Sequence, residues 1–321
     1  MRSWLYATAL PATLLLMACG GGDSDTPAVV NTSQAVTISF AAQANGKDVK
    51  CGAVNSIDNL GTSNKTAEIQ DLRFYIADVK LINDKGEAVA VTLDKNDYQN
   101  YGVALLDFED ATGACSAGTA QTYTAITGKI NTGNYKGIQF VLGVPDTGVD
   151  STGKTVALSH TETTSMSAPL DIAAMAWSWQ GGRKFVKIEV NPIGGVTNQK
   201  NTPDVTTDDS NEKVWTVHLG ATDCKDKGAT ESPLTRYQCG HPNLTTIKLS
   251  SFDYTKQKVV LDVPALLTGS DIAINKTGPL GCMSATSDLE CPAVFDAFGI
   301  DLVTGKTSTT KTQTVFKVVN K

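Results

Sequence analysis

The residues in this chain able to do unusual chemistry are few: three histidines, four tryptophans and seven cysteines in 321 residues. The densest stretch is 166–190, MSAPLDIAAMAWSWQGGRKFVKIEV. Met175, Trp177 and Trp179 alternate there, so on a strand they would project from one face. Gly181-Gly182 would turn the chain, and 184–190 would return as a partner strand. Taken alone, this reads as a core hairpin with packed tryptophans, because large aromatics usually bury area. In 214–224, VWTVHLGATDC, alternation puts His218 on the face opposite Trp215. His160 lies in a loop-like stretch, Leu158-Ser159-His160-Thr161. His241, in Cys239-Gly240-His241-Pro242, reads as a surface residue that the proline places in a turn. Met175 could add a soft thioether, although methionine commonly fills core gaps. No H-E-x-x-H, G-x-S-x-G, G-x-G-x-x-G or P-loop pattern occurs, so a hydrolase or nucleotide enzyme is poorly supported.

The start, MRSWLYATALPATLLLMACGGG, carries a positive Arg2, a short apolar run and small residues before Cys19. That is the pattern of an export signal. A cysteine directly after Leu-x-Ala resembles the bacterial lipobox, which implies a signal peptide over 1–18 and lipid attachment at Cys19. Acyl chains there would anchor the protein to a membrane with no spanning helix. Gly20, rather than Asp, follows the cysteine, which favours the outer membrane by resemblance to Gram-negative lipoproteins. Residues 20–35 are small and polar and read as a tether, leaving a single domain over 36–321. The formal net charge of −6 argues against a nucleic-acid partner.

An oxidising compartment suits the remaining cysteines: Cys51, Cys115, Cys224, Cys239, Cys282 and Cys291. Six cysteines allow 15 pairings, so connectivity is open. Short loops suggest Cys224–Cys239 and Cys282–Cys291, which leaves Cys51–Cys115. No C-x-x-C pair occurs, so the metal reading of these cysteines is weak.

The periodicity that must position these groups is mostly two. Val36, Ile38 and Phe40 alternate, as do Leu72, Phe74 and Ile76. Segments 137–144, 184–190, 214–220, 245–252 and 258–263 all read as strands. Turn signals separate them at 83–86, 131–134 and 181–182. Short helical turns are expected near 264–267 and 291–295. Residues 196–212 read as a polar, solvated insertion; Asp204, Asp208, Asp209 and Glu212 lack EF-hand spacing. The class is all-β, an antiparallel β-sandwich with long, disulfide-stapled loops.

In this order the motifs resemble the MbnP family of copper-binding periplasmic proteins, also described as the four-Cys partner of a metallo-mystery pair. The matching pieces are the strand at 71–81, DLRFYIADVKL, and His160 followed by Ala168-Pro169-Leu170. Then come the Met-x-Trp-Ser-Trp-Gln-Gly-Gly run at 175–182, His218-Leu219-Gly220 leading to Cys224, and Cys239 followed by Asn243. Val-x-Leu-Asp-Val at 259–263 and Gly281-Cys282-Met283-Ser284 leading to Cys291 complete the set. One departure is Arg183, where an aromatic is expected; it bears on hairpin packing or partner docking more than on ligands.

The resemblance implies that a partner di-haem enzyme of the MbnH, cytochrome c peroxidase/MauG type oxidises the first tryptophan, Trp177, to kynurenine. An indole N–H is a donor and cannot ligate a metal, whereas the opened ring offers an aromatic amine. With the imidazoles of His160 and His218 it would form a three-nitrogen Cu(I) site. His241, Met175 and Trp179 are secondary candidates. The resulting expectation is a non-enzymatic, lipid-anchored copper protein of the periplasm or outer membrane, serving copper homeostasis or acquisition. The alternative is a disulfide-stabilised surface module binding a macromolecule or glycan without metal. An enzyme built on a histidine-bound metal has the least support.

Overall fold

The computed structural model describes residues 32–161, 165–177, 182–199 and 210–321. Cys19, Trp179, Gly181, Asp204, Asp208 and Asp209 lie outside the described residues. Thr32–Lys321 forms one compact unit. Two sheets carry the fold. Their principal strands are β1 (Ser33–Ala44), β2 (Lys65–Asn83), β3 (Val103–Asp107), β4 (Ala125–Asn131), β5 (Tyr135–Leu142) and β6 (Val186–Pro192). β7 (Trp215–Leu219), β8 (Thr222–Asp226), β9 (Tyr237–His241), β10 (Thr245–Leu249), β11 (Gln257–Asp262) and β12 (Phe316–Asn320) follow.

One sheet runs β12-β11-β1-β4, with Thr92–Leu93 at its edge; the other runs β7-β6-β2-β5-β10, with β3 also paired to β2. The expected β-sandwich is present, but it is not wholly antiparallel. β1 lies parallel to β11, with Phe40 opposite Val259. β8 and β9 make a separate antiparallel ribbon in which Cys224 faces Cys239. The helical turns lie where they were expected, at α1 (Val263–Leu267) and α2 (Cys291–Phe298). α1 is capped by the Asp262 carboxylate, which accepts from Ala265 N at 3.2 Å.

The core lies between the sheets. Its interlock is aromatic: Phe40 and Phe316 of one sheet meet Phe140 of the other at 5.9 and 5.4 Å, and Phe316 also meets Phe74 at 5.7 Å. All three contacts are edge-on, the favoured geometry for ring quadrupoles.

β2 is the spine of its sheet. Over 19 residues it pairs with β6 and then β5 along one edge, and with β3 on the other. From Asp71 to Ala77 every residue is buried, so both faces of the sheet are covered. Leu72, Phe74 and Ile76 enter the sandwich core, while Tyr75 and Ala77 join a second apolar cluster with Leu158, Leu170, Met175, Phe185 and Ala221. The long loops therefore form a lid on the outer face of this sheet. The Tyr75 hydroxyl fastens it, donating to Pro169 O at 2.7 Å.

The three disulfides are Cys51–Cys115, Cys224–Cys239 and Cys282–Cys291. Among the described residues no helix is long and apolar enough to cross a membrane. Phe140→Ala should cost about 3–5 kcal/mol by leaving a cavity at the aromatic interlock. Urea unfolding followed by tryptophan fluorescence measures this, and a loss under about 1 kcal/mol would contradict the interlock.

Candidate functional site

The outer face of the β2–β6–β7 sheet is where alternation places polar side chains. Register sets Asp71 opposite Glu189, Arg73 opposite Lys187, and Lys187 opposite His218. The result is a buried ladder of charges. Arg73 forks onto Asp71, its Nε donating to Oδ1 at 2.9 Å and its Nη2 to Oδ2. Lys187 bonds Asp71 and approaches Glu189 Oε1 at 3.2 Å. Glu189 Oε1 then accepts from His218 Nε2 at 2.8 Å. Arg73 also lies 3.7 Å from Glu109.

His218 is 6% exposed. Burial lowers its pKa below the ordinary imidazole value and outweighs the opposing pull of Glu189, so the ring stays neutral. Burial alone would raise the Glu189 pKa, but the bond from His218 and the charge of Lys187 bring it down to about 2. Glu189 is therefore a carboxylate, and a carboxylate has no proton to give. The hydrogen must sit on His218 Nε2. That leaves Nδ1 with its lone pair, buried and without a partner among the described residues. An imidazole held through one nitrogen by a carboxylate, with the other free, is how metal-ligating histidines are oriented.

The backbone of β7 is held from the other side. His218 N donates to Cys282 O at 2.9 Å, and Cys282 N returns a bond to Thr216 O at 2.9 Å. The Ser284 hydroxyl donates to His218 O at 2.8 Å and accepts from Gly220 N at 3.0 Å. Asn243 donates to Gly220 O at 2.8 Å. The loop stapled by Cys282–Cys291 thus fixes the His218 strand, which accounts for Ser284 and Asn243 among the sequence motifs.

Trp177 is 4% exposed. The expected hairpin around it is shorter than its alternation suggests. Met175 closes a 3-10 turn over Ala173–Met175, so the Met-x-Trp pair is not on one strand face. Met175 itself is buried in the outer cluster, filling core. Pairing begins at Ala176, opposite Arg183. Trp177 N donates to Gly182 O at 2.8 Å, and Lys184 N to Met175 O at 2.8 Å. The benzo edge of the indole packs on Gly220: a Cβ there would lie 3.0 Å from Cζ's neighbour Cη2. That Cβ would also lie 2.5 Å from Arg183 O, so the position two residues beyond His218 is restricted to glycine by the hairpin backbone first and the ring second.

His160 sits in the expected loop, against the same hairpin. A Cβ on Gly182 would lie 2.9 Å from its Nδ1 and Cε1. Its Nε2 points the other way, 2.9 Å from Cys239 Sγ and 3.5 Å from Cys224 Sγ. A disulfide sulfur only accepts, so Nε2 carries the hydrogen here too. Tyr237 stacks on the ring at 5.3 Å between centroids. Arg183 is 2% exposed and donates to Thr161 O at 2.7 Å. It staples the hairpin to the His160 loop and has no exposed surface for docking.

His241 corrects the sequence reading. It is not in a surface turn but ends β9, half-buried and opposite Thr222. Its backbone packs against Gly305. His160 lies against Gly182, whose carbonyl accepts from Trp177 N, and the Trp177 ring packs on Gly220, two residues beyond His218. Glu189, Tyr237 and the Cys224–Cys239 sulfurs are the members that sequence reasoning missed.

A family model, MbnP, matches residues 33–284. The chain belongs to the MbnP family. The solved structure of MbnP from Methylosinus trichosporium superposes with a TM-score of 0.77 at 35% identity, covering 90% of this chain and 99% of that one. No curated protein matches. The family is one of non-catalytic, copper-associated accessory proteins linked to partners of the MbnH kind, in keeping with the expectation of a non-enzyme.

Two measurements check the electrostatics of this face. Long-range proton–nitrogen NMR at pH 7 should find His218 neutral with its hydrogen on Nε2; an Nδ1–H signal would contradict the assignment. Asp107, paired with Arg73 across β2–β3, is pushed up to about 7 by burial, with Arg73 opposing. An unfolded chain releases that proton near pH 4, so this group costs stability progressively as pH climbs from about 4 to about 7. The thermal stability of Asp107→Asn relative to the native chain should therefore grow over that range and stay level above it. Parallel melting curves would contradict the shift.

Proposed function

We propose that this chain is an exported, lipid-anchored copper-binding protein, holding Cu(I) through His160, His218 and a kynurenine made from Trp177 by a di-haem partner. Its copper-associated character rests on family membership. The finer reading rests above all on one observation: both histidines are held through Nε2, by Glu189 and by the disulfide. Each thereby offers Nδ1, and the two flank the glycines that Trp177 packs on or bonds.

The residues fit the group they would hold. Neutral imidazoles and an aromatic amine are borderline-soft nitrogen donors, suited to low-coordinate Cu(I). His218 is kept neutral by burial, so no proton competes for Nδ1 near pH 7. Glu189 is a positioning residue that sets the tautomer of His218. Gly182 and Gly220 let His160 and the indole approach the backbone. Bound copper would supply the redox and soft-ligand chemistry expected of a copper carrier. The haem partner would oxidise Trp177 through the protein edge, and the lipid on Cys19 would hold the site at the outer membrane.

Intact-protein and peptide mass spectrometry tests the modification. Protein from a host that also makes the haem partner should carry an oxygen-insertion product confined to Trp177. An unmodified Trp177 under those conditions, or a product on Trp215 instead, would end the kynurenine reading.

A further inference from the structure

The Cys224–Cys239 disulfide does more at this site than staple a loop. His160 Nε2, Cys224 Sγ and Cys239 Sγ all lie within 4.8 Å of one another. Two of these three donors are masked by their mutual bond. The two cysteines face each other across the β8–β9 ribbon, so their sulfurs can part by side-chain rotation while the ribbon keeps its backbone pairing. Tyr237 covers the imidazole on one face at 5.3 Å, and Arg236 lies over Tyr237 at 5.1 Å. The imidazole therefore sits beneath an aromatic roof, while the two cysteines remain half-buried.

Access separates this disulfide from the others. Cys51, Cys115, Cys282 and Cys291 are each 3% exposed or less. Cys224 and Cys239 are half-buried, on a ribbon outside the two main sheets. A thiolate attacking in line with the S–S bond reaches this pair first.

We propose that Cys224, Cys239 and His160 form a second, redox-gated site for a soft d10 cation, with Cu(I) as its occupant. A dithiol reductant opens it: two electrons and two protons pass to the protein S–S bond, which breaks into two thiols, and the reductant closes its own disulfide. On metal binding both thiols release their protons to solvent and two metal–sulfur bonds form. His160 completes the set through Nε2, whose hydrogen moves to Nδ1. Two thiolates and an imidazole are a soft set suited to Cu(I). Metal–donor bonds of about 2.0–2.3 Å place three donors about 4 Å apart, a spacing the sulfurs reach by parting from their present bond.

The exchange has a consequence for His160. In the disulfide form its Nδ1 faces the Trp177 hairpin; in the dithiol form Nδ1 carries the hydrogen and Nε2 binds metal. One imidazole thus serves either set, and reduction withdraws it from Trp177. The thiolate set is independent of whether Trp177 is ever modified.

The test uses native-sequence protein made without a haem partner, before and after a small dithiol. The reductant is then removed anaerobically and one equivalent of Cu(I) added. Alkylation and peptide mapping should mark Cys224 and Cys239 and spare the other four cysteines. X-ray absorption should show a copper–sulfur shell only after reduction. That shell should vanish in C224S/C239S, lose its nitrogen contribution in H160A, and persist in H218A. No alkylation of this pair, no sulfur shell in the reduced protein, or a shell that survives C224S/C239S would each overturn the proposal. Loss of the shell in H218A would also overturn it, by assigning the copper to the other histidine. Failure of the Trp177 modification leaves these outcomes untouched, so the two readings fall separately.

Discussion

A carboxylate buried against an imidazole is costly unless something else holds the charge. Glu189 is such a carboxylate, 8% exposed, and Lys187 approaches the same oxygen that His218 bonds. Lys187 in turn leans on Asp71, and Asp71 on Arg73. The chain of alternating charges crosses β7, β6 and β2 on the outer face of one sheet. Strand register makes the ladder: each bonded pair lies two residues apart on one strand or diagonally across two neighbouring strands. A one-residue slip of β6 would send Lys187 and Glu189 into the apolar core, and the register is locked by Val186, Ile188 and Val190 on the inner face. The site geometry is in this sense a by-product of the core.

Around that ladder the loops do complementary work. The Cys282–Cys291 loop fixes the backbone at His218, while the lid over Tyr75 carries His160 and Trp177. Disulfides serve both: one braces the loop bonded to β7, another lies against His160 itself. A protein with few helices and long loops holds its site by such tethers, because no single element spans it.

Much of this was legible in the sequence. Strict alternation in 71–81, 184–190 and 214–220 marks the strands, and it places His218 opposite Trp215 without knowledge of their partners. Family motifs single out Trp177. What stayed hidden depends on pairing between distant segments. Glu189 reads as one more polar strand residue until β6 is set beside β7. Cys224 and Cys239 read as a loop staple, because the absence of C-x-x-C spacing says nothing of a histidine 64 residues upstream. Alternation misled at Met175, where a 3-10 turn interrupts the strand, and proline misled at His241, which ends a strand just before Pro242. The parallel β1–β11 pair was also beyond reach, since direction leaves no mark in a two-residue period.

The proposed copper site depends on two histidines held through Nε2, with Nδ1 turned toward the metal. A crystal structure of the copper-loaded, partner-matured protein, with the ion located by anomalous scattering at the copper edge, tests it most directly. Copper should be bonded to Nδ1 of His160 and Nδ1 of His218, with Glu189 still on Nε2 of His218. Copper bonded to Nε2 of His218, or lying away from the Trp177 side chain, would contradict it.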